Sequence, residues 1–299
     1  MTNTDQGTAR GDAASSAPSS SRLADRVERV LDGLAGVSDR GLVHVRNEDA
    51  MALDRNAAGL VAVVVSDGVS SSPDPQLASR VAADVTLQGL LDTGADPEPA
   101  SPRQVRTAVA AGARAVEALA AGDEGPACTL VAAVIDPGGT GPAATGAGAD
   151  TAGGPQIIVA WVGDSRAYWL DAAGVASRLL TNDHSWAVEV VAAGRLDAAS
   201  AALDRRAHAI TRWLGAGGEP IPELALLVPE GPGVLLLCTD GLWNYLPAAE
   251  DLAAVALPRA LRDPAGAAAA LTDVAIEAGG RDNITVALVP VLRTAPAAD

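Results

Sequence analysis

Two apolar runs in this chain end in the same pair of residues. VAVVVSDG delivers Asp67 and Gly68, and VLLLCTDG delivers Asp240 and Gly241. A strand buried on both sides holds a carboxylate rigidly at its tip, and the following glycine lets the backbone turn closely enough for its own carbonyl to face a cation. Asp-Gly after a strand is also a common turn, and either pair taken alone reads first as one. The repetition points to a site. A third acid, Asp282, stands directly before NITVALVPV, and Asp49 follows Glu48 inside GLVHVRNEDAM, which opens like a strand. Four carboxylates at strand ends can converge.

Hard oxygen ligands of this kind suit Mg²⁺ or Mn²⁺, and the lack of His and Cys clusters argues against softer metals. Two such ions about 3.5–4 Å apart hold a water, lower its pKa and neutralise the charge developing on an attacked phosphoryl group. The overall balance fits that need for local cations. With 21 Lys and Arg against 37 Asp and Glu, the formal charge is −16. Nucleic acid and anionic membrane surfaces are repelled over most of such a surface, so neither is expected as a partner. Cys128 and Cys238, the two cysteines, each lie in an apolar run and read as buried free thiols in a reducing compartment. The N-terminus has no charged-then-apolar signal pattern and no apolar stretch is long enough to span a bilayer, so a cytoplasmic location is expected.

The elements that must position these acids are legible in outline. Apolar runs at Leu60–Ser66, Cys128–Ile135, Ile157–Val162, Ala167–Leu170, Val234–Cys238 and Ile284–Leu292 predict buried strands. Helical spacing predicts two adjacent helices over Gln76–Leu91 and Arg103–Ala121, and a second pair near Ala248–Ala256 and Ala265–Ala278. Strands in blocks with helices in adjacent pairs predict α+β layers instead of an alternating βαβ order. With no Phe among 299 residues, Ala, Val and Leu must fill the core, anchored by five Trp and two Tyr. Residues 1–22 read as a disordered polar tail and 23–295 as a single domain. Within it, 137–155 is a Gly-, Ala- and Pro-rich hairpin loop.

Taken in order, RNEDA (Arg46–Ala50), VVVSDG (Val63–Gly68), CTLVAAVI, VGDSRAYWL (Val162–Leu170), LLTNDHS (Leu179–Ser185), ITRWLG (Ile210–Gly215), LLLCTDGLW (Leu235–Trp243) and DNITVALV (Asp282–Val289) form eight collinear motifs. On these the chain resembles the metal-dependent protein phosphatases of type 2C, its bacterial members above all. The resemblance implies a four-layer αββα sandwich: two antiparallel sheets face to face, flanked by helix pairs. It implies two Mn²⁺ or Mg²⁺ ions at one end, with room for a third. By motif, Asp67 would bridge both metals and Gly68 would lend its carbonyl. Asp240 and Asp282 would bind one ion, Asp49 and Glu48 would act through water, and Asp164 of GDSR would hold the third metal. The implied activity is hydrolysis of phosphoserine and phosphothreonine in proteins by in-line attack of a metal-activated water. The implied setting is a monomer opposing a Ser/Thr kinase. The segment 186–206 matches the family's mobile flap.

GDSR also suits a hairpin turn, and LLTNDHSW reads as a helix start capped by Asp183 or Ser185, with His184 structural. Arg166 reads as a structural partner, and His208 as a packing or hydrogen-bonding residue.

Three positions depart from the family pattern. His44 stands where the family places an arginine that grips the substrate phosphate. If the segment is a strand, Arg46 lies on the same face about 6–7 Å along and replaces that clamp, leaving His44 as a supporting group or as general acid. GVSSSP after Asp67 replaces the usual glycine pair, either changing the loop or adding hydroxyl donors. Asn244 stands where an acid is common, and a surface difference is expected there. A second reading of the whole is a phosphatase-fold binding module that has lost productive phosphate binding.

Overall fold

A computed structural model describes residues 26–92, 100–121, 124–138 and 154–292. The predicted tail and most of the predicted 137–155 loop lie outside the described residues. The chain opens with strands β1 (Arg26–Leu31), β2 (Leu34–Asp39), β3 (Ala50–Arg55) and β4 (Val61–Ser66), then helices α1 (Pro75–Asp92) and α2 (Pro102–Glu117). Strands β5 (Ala127–Cys128), β6 (Leu130–Asp136), β7 (Gln156–Val162), β8 (Arg166–Asp171) and β9 (Arg178–Leu179) follow. Next come α3 (Trp186–Ala192), α4 (Ala198–Ala202), β10 (Leu214–Gly215), β11 (Glu223–Leu227) and β12 (Gly233–Cys238). The described chain closes with α5 (Asp240–Trp243), α6 (Ala249–Ala260), α7 (Pro264–Glu277) and β13 (Ile284–Val291).

Two antiparallel sheets carry the fold, one ordered β1-β2-β13-β12-β8-β9 and the other β11-β7-β6-β4-β3. Helices α1 and α2 pack outside the second sheet, while α6 and α7 pack outside the first. Strands β4, β6 and β12 are buried on both faces, as their continuous apolar sequences require. One face of each meets helices and the other meets the opposite sheet. Between the sheets lie Val63, Val65, Val131, Leu235, Leu237 and Val289 with the indoles of Trp161 and Trp169. This is the four-layer sandwich that the resemblance implied.

Local chemistry explains the helix starts. Ser101 and Gln104 form a reciprocal capping box, and Pro102 occupies the first turn of α2, where its missing N–H costs nothing. Ser185, and not Asp183, caps α3 through the amide of Val188.

The largest departure from expectation is at Gly41–Asp49. The segment is an irregular loop and not a strand. Its backbone groups are claimed by side chains: Asp39 Oδ1 accepts from the Gly41 amide at 2.9 Å, and Asn283 binds two groups of the loop and the carbonyl of Arg40 just before it. The same-face argument linking His44 to Arg46 therefore fails. Strands β1, β2, β3 and β11 are not expected from sequence: β1, β3 and β11 lie at sheet edges, and the apolar run of β2, though buried, is broken by Gly36, Ser38 and Asp39.

Leu237 is fully buried between the sheets, paired with Ala167 and Ala287. Small neighbours cannot refill a void there. Leu237→Ala is expected to lower unfolding free energy by about 2–5 kcal/mol in denaturant titration, with the cooperativity of the transition retained.

Candidate active site

Each candidate acid sits where a strand of the sandwich begins or ends. Asp67 follows β4 in one sheet, and Asp240 follows β12 in the other. Asp164 lies in the turn from β7 to β8, which carries the chain from one sheet to the other. Asp49 directly precedes β3, and Asp282 stands two residues before β13. The sandwich brings them together: Asp67 lies within electrostatic reach of Asp49, Asp240, Asp164 and Asp282 at once.

Backbone packing at this end is tight. The amide of Thr129 donates to the Asp67 carbonyl at 2.8 Å, and the Gly68 amide donates to the Glu48 carbonyl at 3.2 Å. A Cβ on Gly68 would come within 2.7 Å of the Glu48 and Pro75 carbonyl oxygens, and one on Gly241 would strike the carbonyl of Asn283. Both glycines of the Asp-Gly pairs are thus required by close backbone approach.

Hydrogen bonds hold the acids in place. Thr239 Oγ1 donates to Asp49 Oδ2 at 2.8 Å and accepts from the Thr285 amide at 3.0 Å, tying β12, β13 and Asp49 together. Asn244 Nδ2 donates to Asp240 Oδ2 at 3.2 Å. Asn244 is exposed, as expected of a surface difference, and its side chain also supports a site acid. Ser70 Oγ donates to Glu48 Oε2 at 2.6 Å, so the serine-rich turn supplies a hydroxyl beside the site.

Arg166 grips Asp183 through two bonds of 2.9 and 2.7 Å and lies 3.7 Å above the Trp243 ring centroid. The Trp243 indole N–H donates to the Asp164 carbonyl at 2.9 Å, fixing the GDSR turn. His184 is structural as expected. Its Nδ1 accepts from the Gly163 amide at 3.0 Å, leaving Nε2 to carry the proton 3.3 Å from Glu223. His208 stacks near Trp243 with ring centroids 6.3 Å apart.

Asn283 and Thr239 are the contributors that sequence reasoning missed. Asn283 Oδ1 accepts from the Glu48 amide at 2.7 Å, while Nδ2 donates to the carbonyls of Arg40 at 2.8 Å and Arg46 at 3.0 Å. A buried amide with a donor pair and an acceptor is the group that can anchor an irregular loop. The available signal was adjacency: Asn283 follows Asp282, and Thr239 precedes Asp240. His44 Nε2 stands 3.2 Å from Asp282 Oδ1, and Arg46 is exposed.

Electrostatics set the character of the cluster. Burial first, then the neighbouring carboxylates, raise Asp67 well above the usual carboxylate range. Burial pushes Asp49 up to about 8 against the opposing bond from Thr239. Asp164 rises to about 8 and Asp240 to about 6, again chiefly through burial. Asp49 Oδ1 and Asp240 Oδ1 are buried without a hydrogen-bond partner. Gln76 Oε1, Thr86 Oγ1 and Thr211 Oγ1 are also unpaired, but the two carboxylate oxygens are those within the acid cluster and are acceptors open to a ligand. Among the described residues no three such side chains already stand in ligating geometry, and the acids converge without closing on a common point. An all-oxygen donor set with mutual repulsion and orphan oxygens fits a hard divalent cation.

Comparison with known proteins agrees with this architecture. The family model for protein phosphatase 2C matches residues 43–274. A serine/threonine phosphatase, stp, from Listeria innocua is 29% identical over 259 residues, covering 84% of this chain and 93% of the relative. The Streptococcus agalactiae serine/threonine phosphatase structure has a TM-score of 0.66 at 26% identity, covering 88% of this chain and 98% of that one. The catalytic domain of PstP, a serine/threonine protein phosphatase solved with two manganese ions, has a TM-score of 0.64 at 27% identity. That likeness covers 89% of this chain and 99% of the PstP domain, and PstP is a Mycobacterium tuberculosis protein. The chain belongs to the protein phosphatase 2C family, and with it to the serine/threonine protein phosphatases.

The raised acids predict how stability responds to pH. Folded protein stripped of metal retains protons that the unfolded chain releases near pH 4, so its stability falls as pH rises from about 4 to about 8. Manganese offsets the repulsion of the ionised form. The gap in Tm between Mn²⁺-loaded and chelator-treated protein is expected to widen steadily across that range in thermal unfolding.

Proposed function

We propose that this chain hydrolyses phosphoserine and phosphothreonine in proteins by in-line attack of water, without a phosphoenzyme intermediate, using two Mn²⁺ or Mg²⁺ ions. One observation carries the reading: five carboxylates from both sheets share one end of the sandwich, and two of their buried oxygens lack partners. Asp67, Asp240, Asp282 and the Gly68 carbonyl would hold the ions directly. Asp49 and Glu48 would act through water, and Asp164 would serve a third ion. Bound there, such ions supply an activated water and neutralise charge developing on the phosphoryl group. Thr239, Asn244 and Asn283 contribute preorganisation, because each holds an acid or its loop before substrate arrives.

Arg46 binds the substrate phosphoryl group in this reading. Its carbonyl is anchored by Asn283 while its side chain faces solvent, which suits a mobile cation at the mouth of an acidic site. His44 acts through Asp282, holding that carboxylate in orientation, and its 3.2 Å contact supports this role over that of general acid. We extend the reading to a cytoplasmic monomer, formed by a single domain over 23–295 with a flap at 186–206, that opposes a Ser/Thr kinase. The two buried free cysteines suit a reducing compartment.

Hydrolysis of a chromogenic aryl phosphate tests the centre. Turnover is expected to require Mn²⁺ or Mg²⁺ and to fall by more than about a hundredfold in Asp67→Asn and in Asp240→Asn. Metal-independent turnover, or turnover surviving both substitutions, would sink the mechanism.

A second experiment separates the two loop residues. Arg46→Ala is expected to raise KM for a phosphopeptide, and His44→Ala to weaken Mn²⁺ binding about tenfold in calorimetry. If neither constant moves, the assignment of these residues is wrong.

A further inference from the structure

Two cavities meet at His208, on the returning stem of the flap. The stem is pinned where the flap closes on itself: the Trp186 amide donates to the Ala209 carbonyl at 2.8 Å, and Ser185 bridges Ile210. On one side of His208 lies a polar cavity of about 360 Å³, lined by Gly241, Asn244, Tyr245, Arg281 and Asp282. That cavity contains one site acid, the partner of another, and the glycine between strand tip and helix. On the other side lies a cavity of about 510 Å³ lined by Val69, Ala127, Ile210 and Trp213, with Ser71 and Ser72 at its edge. Val69 directly follows Gly68, so the second cavity begins one residue from the acid cluster.

We infer that the second cavity is a specificity pocket that takes a large apolar side chain flanking the phosphorylated residue of the substrate protein. The inference rests on the phosphatase reading above. Three features support an apolar occupant. Val69, Ala127, Ile210 and Trp213 form an aliphatic and indole wall, Ser71, Ser72 and His208 contribute to the lining, and the Trp213 N–H is already satisfied by the Ala216 carbonyl at 3.1 Å, so the ring offers the pocket a dry face. The volume accommodates a side chain as large as Leu or Phe, within the range of pockets that bury their ligands. The protein's net charge of −16 disfavours acidic flanking residues at long range, a penalty that an uncharged apolar side chain does not meet. His208 lines both cavities, so a phosphoresidue held at the polar cavity would place a neighbouring side chain past His208 and over Val69. His208, exposed and stacked beside Trp243, forms the partition between the two subsites.

The pocket sets preference between substrates and not the chemical step. An apolar contact of this size is worth roughly tenfold or more in discrimination. The test uses full-length protein with Mn²⁺ and two sets of phosphothreonine peptides. Each set places Leu or Ala, at successive positions up to three residues to either side, on an otherwise identical sequence. Both kcat/KM and peptide affinity by fluorescence anisotropy are measured. At one position the Leu peptide is expected to be preferred about tenfold in both measures. In Ala209→Trp, which fills the cavity from its exposed edge, the preference is expected to drop to near one. Backbone bonds alone hold Ala209, and circular dichroism is to be used to check that the variant folds; Ile210→Ser provides a second route to the same loss.

Equal treatment of Leu and Ala peptides at every position overturns the pocket while leaving the phosphatase reading intact. Preference that survives both substitutions also overturns it. Absence of all hydrolysis with retained, pocket-dependent binding overturns the phosphatase reading and leaves the pocket standing. If a second copy of this chain fills the cavity instead, Ala209→Trp changes sedimentation and not peptide preference, which again overturns the proposal.

Discussion

Like charges forced together out of water govern this molecule. Asp49, Asp67, Asp164 and Asp240 gather with Asp282 at one end of a closely packed sandwich, where burial and mutual repulsion oppose ionisation of the first four. Such an arrangement costs stability unless a cation or protons accompany it. The rest of the structure makes that cost bearable. Two stiff sheets present the acids from opposite sides, and neither can swing away without breaking the apolar layer between Val63, Val65, Leu235 and Leu237. A flexible scaffold would relax the repulsion by separating the charges, and the site would disappear.

The supporting contacts follow the same logic. Thr239 binds Asp49 across 190 residues of sequence, and Asn283 holds the loop carrying Glu48. Arg166 tempers Asp164 electrostatically but forms its ion pair elsewhere. It is consumed by Asp183 and by the face of Trp243, and Trp243 in turn binds the Asp164 carbonyl. Positive charge is thereby kept one layer away from the acids, braced into structure, and the acids remain available to metal. Arg46, on the loop before β3, and Arg281, beside Asp282, stand outside this arrangement and are exposed.

Much of this was readable before any coordinates. The strands with continuous apolar runs, β4, β6, β7, β8, β12 and β13, were found because double-sided burial demands such sequences. Edge strands such as β1 bury little and left no comparable trace. GLVHVR misled for a related reason. Its alternation of Leu, Val and Val matches a strand, yet Val43 and Val45 are 67% and 92% exposed because Asn283 and Asp39 take the backbone groups a ladder needs. Side-chain competition for backbone is invisible to periodicity.

The sequence by itself determined the acids and their placement at strand tips, since apolar run followed by Asp-Gly is a local pattern. It also determined the layered fold, since blocks of strands and paired helices can bury their faces in few other ways. Tertiary structure decided which residues support those acids. Asn283 and Thr239 act across 235 and 190 residues, distances that no local pattern encodes, and His44 turns to Asp282 because the loop that carries His44 is irregular. Residue type and spacing specify what chemistry is available; three-dimensional proximity specifies which partners hold it in place.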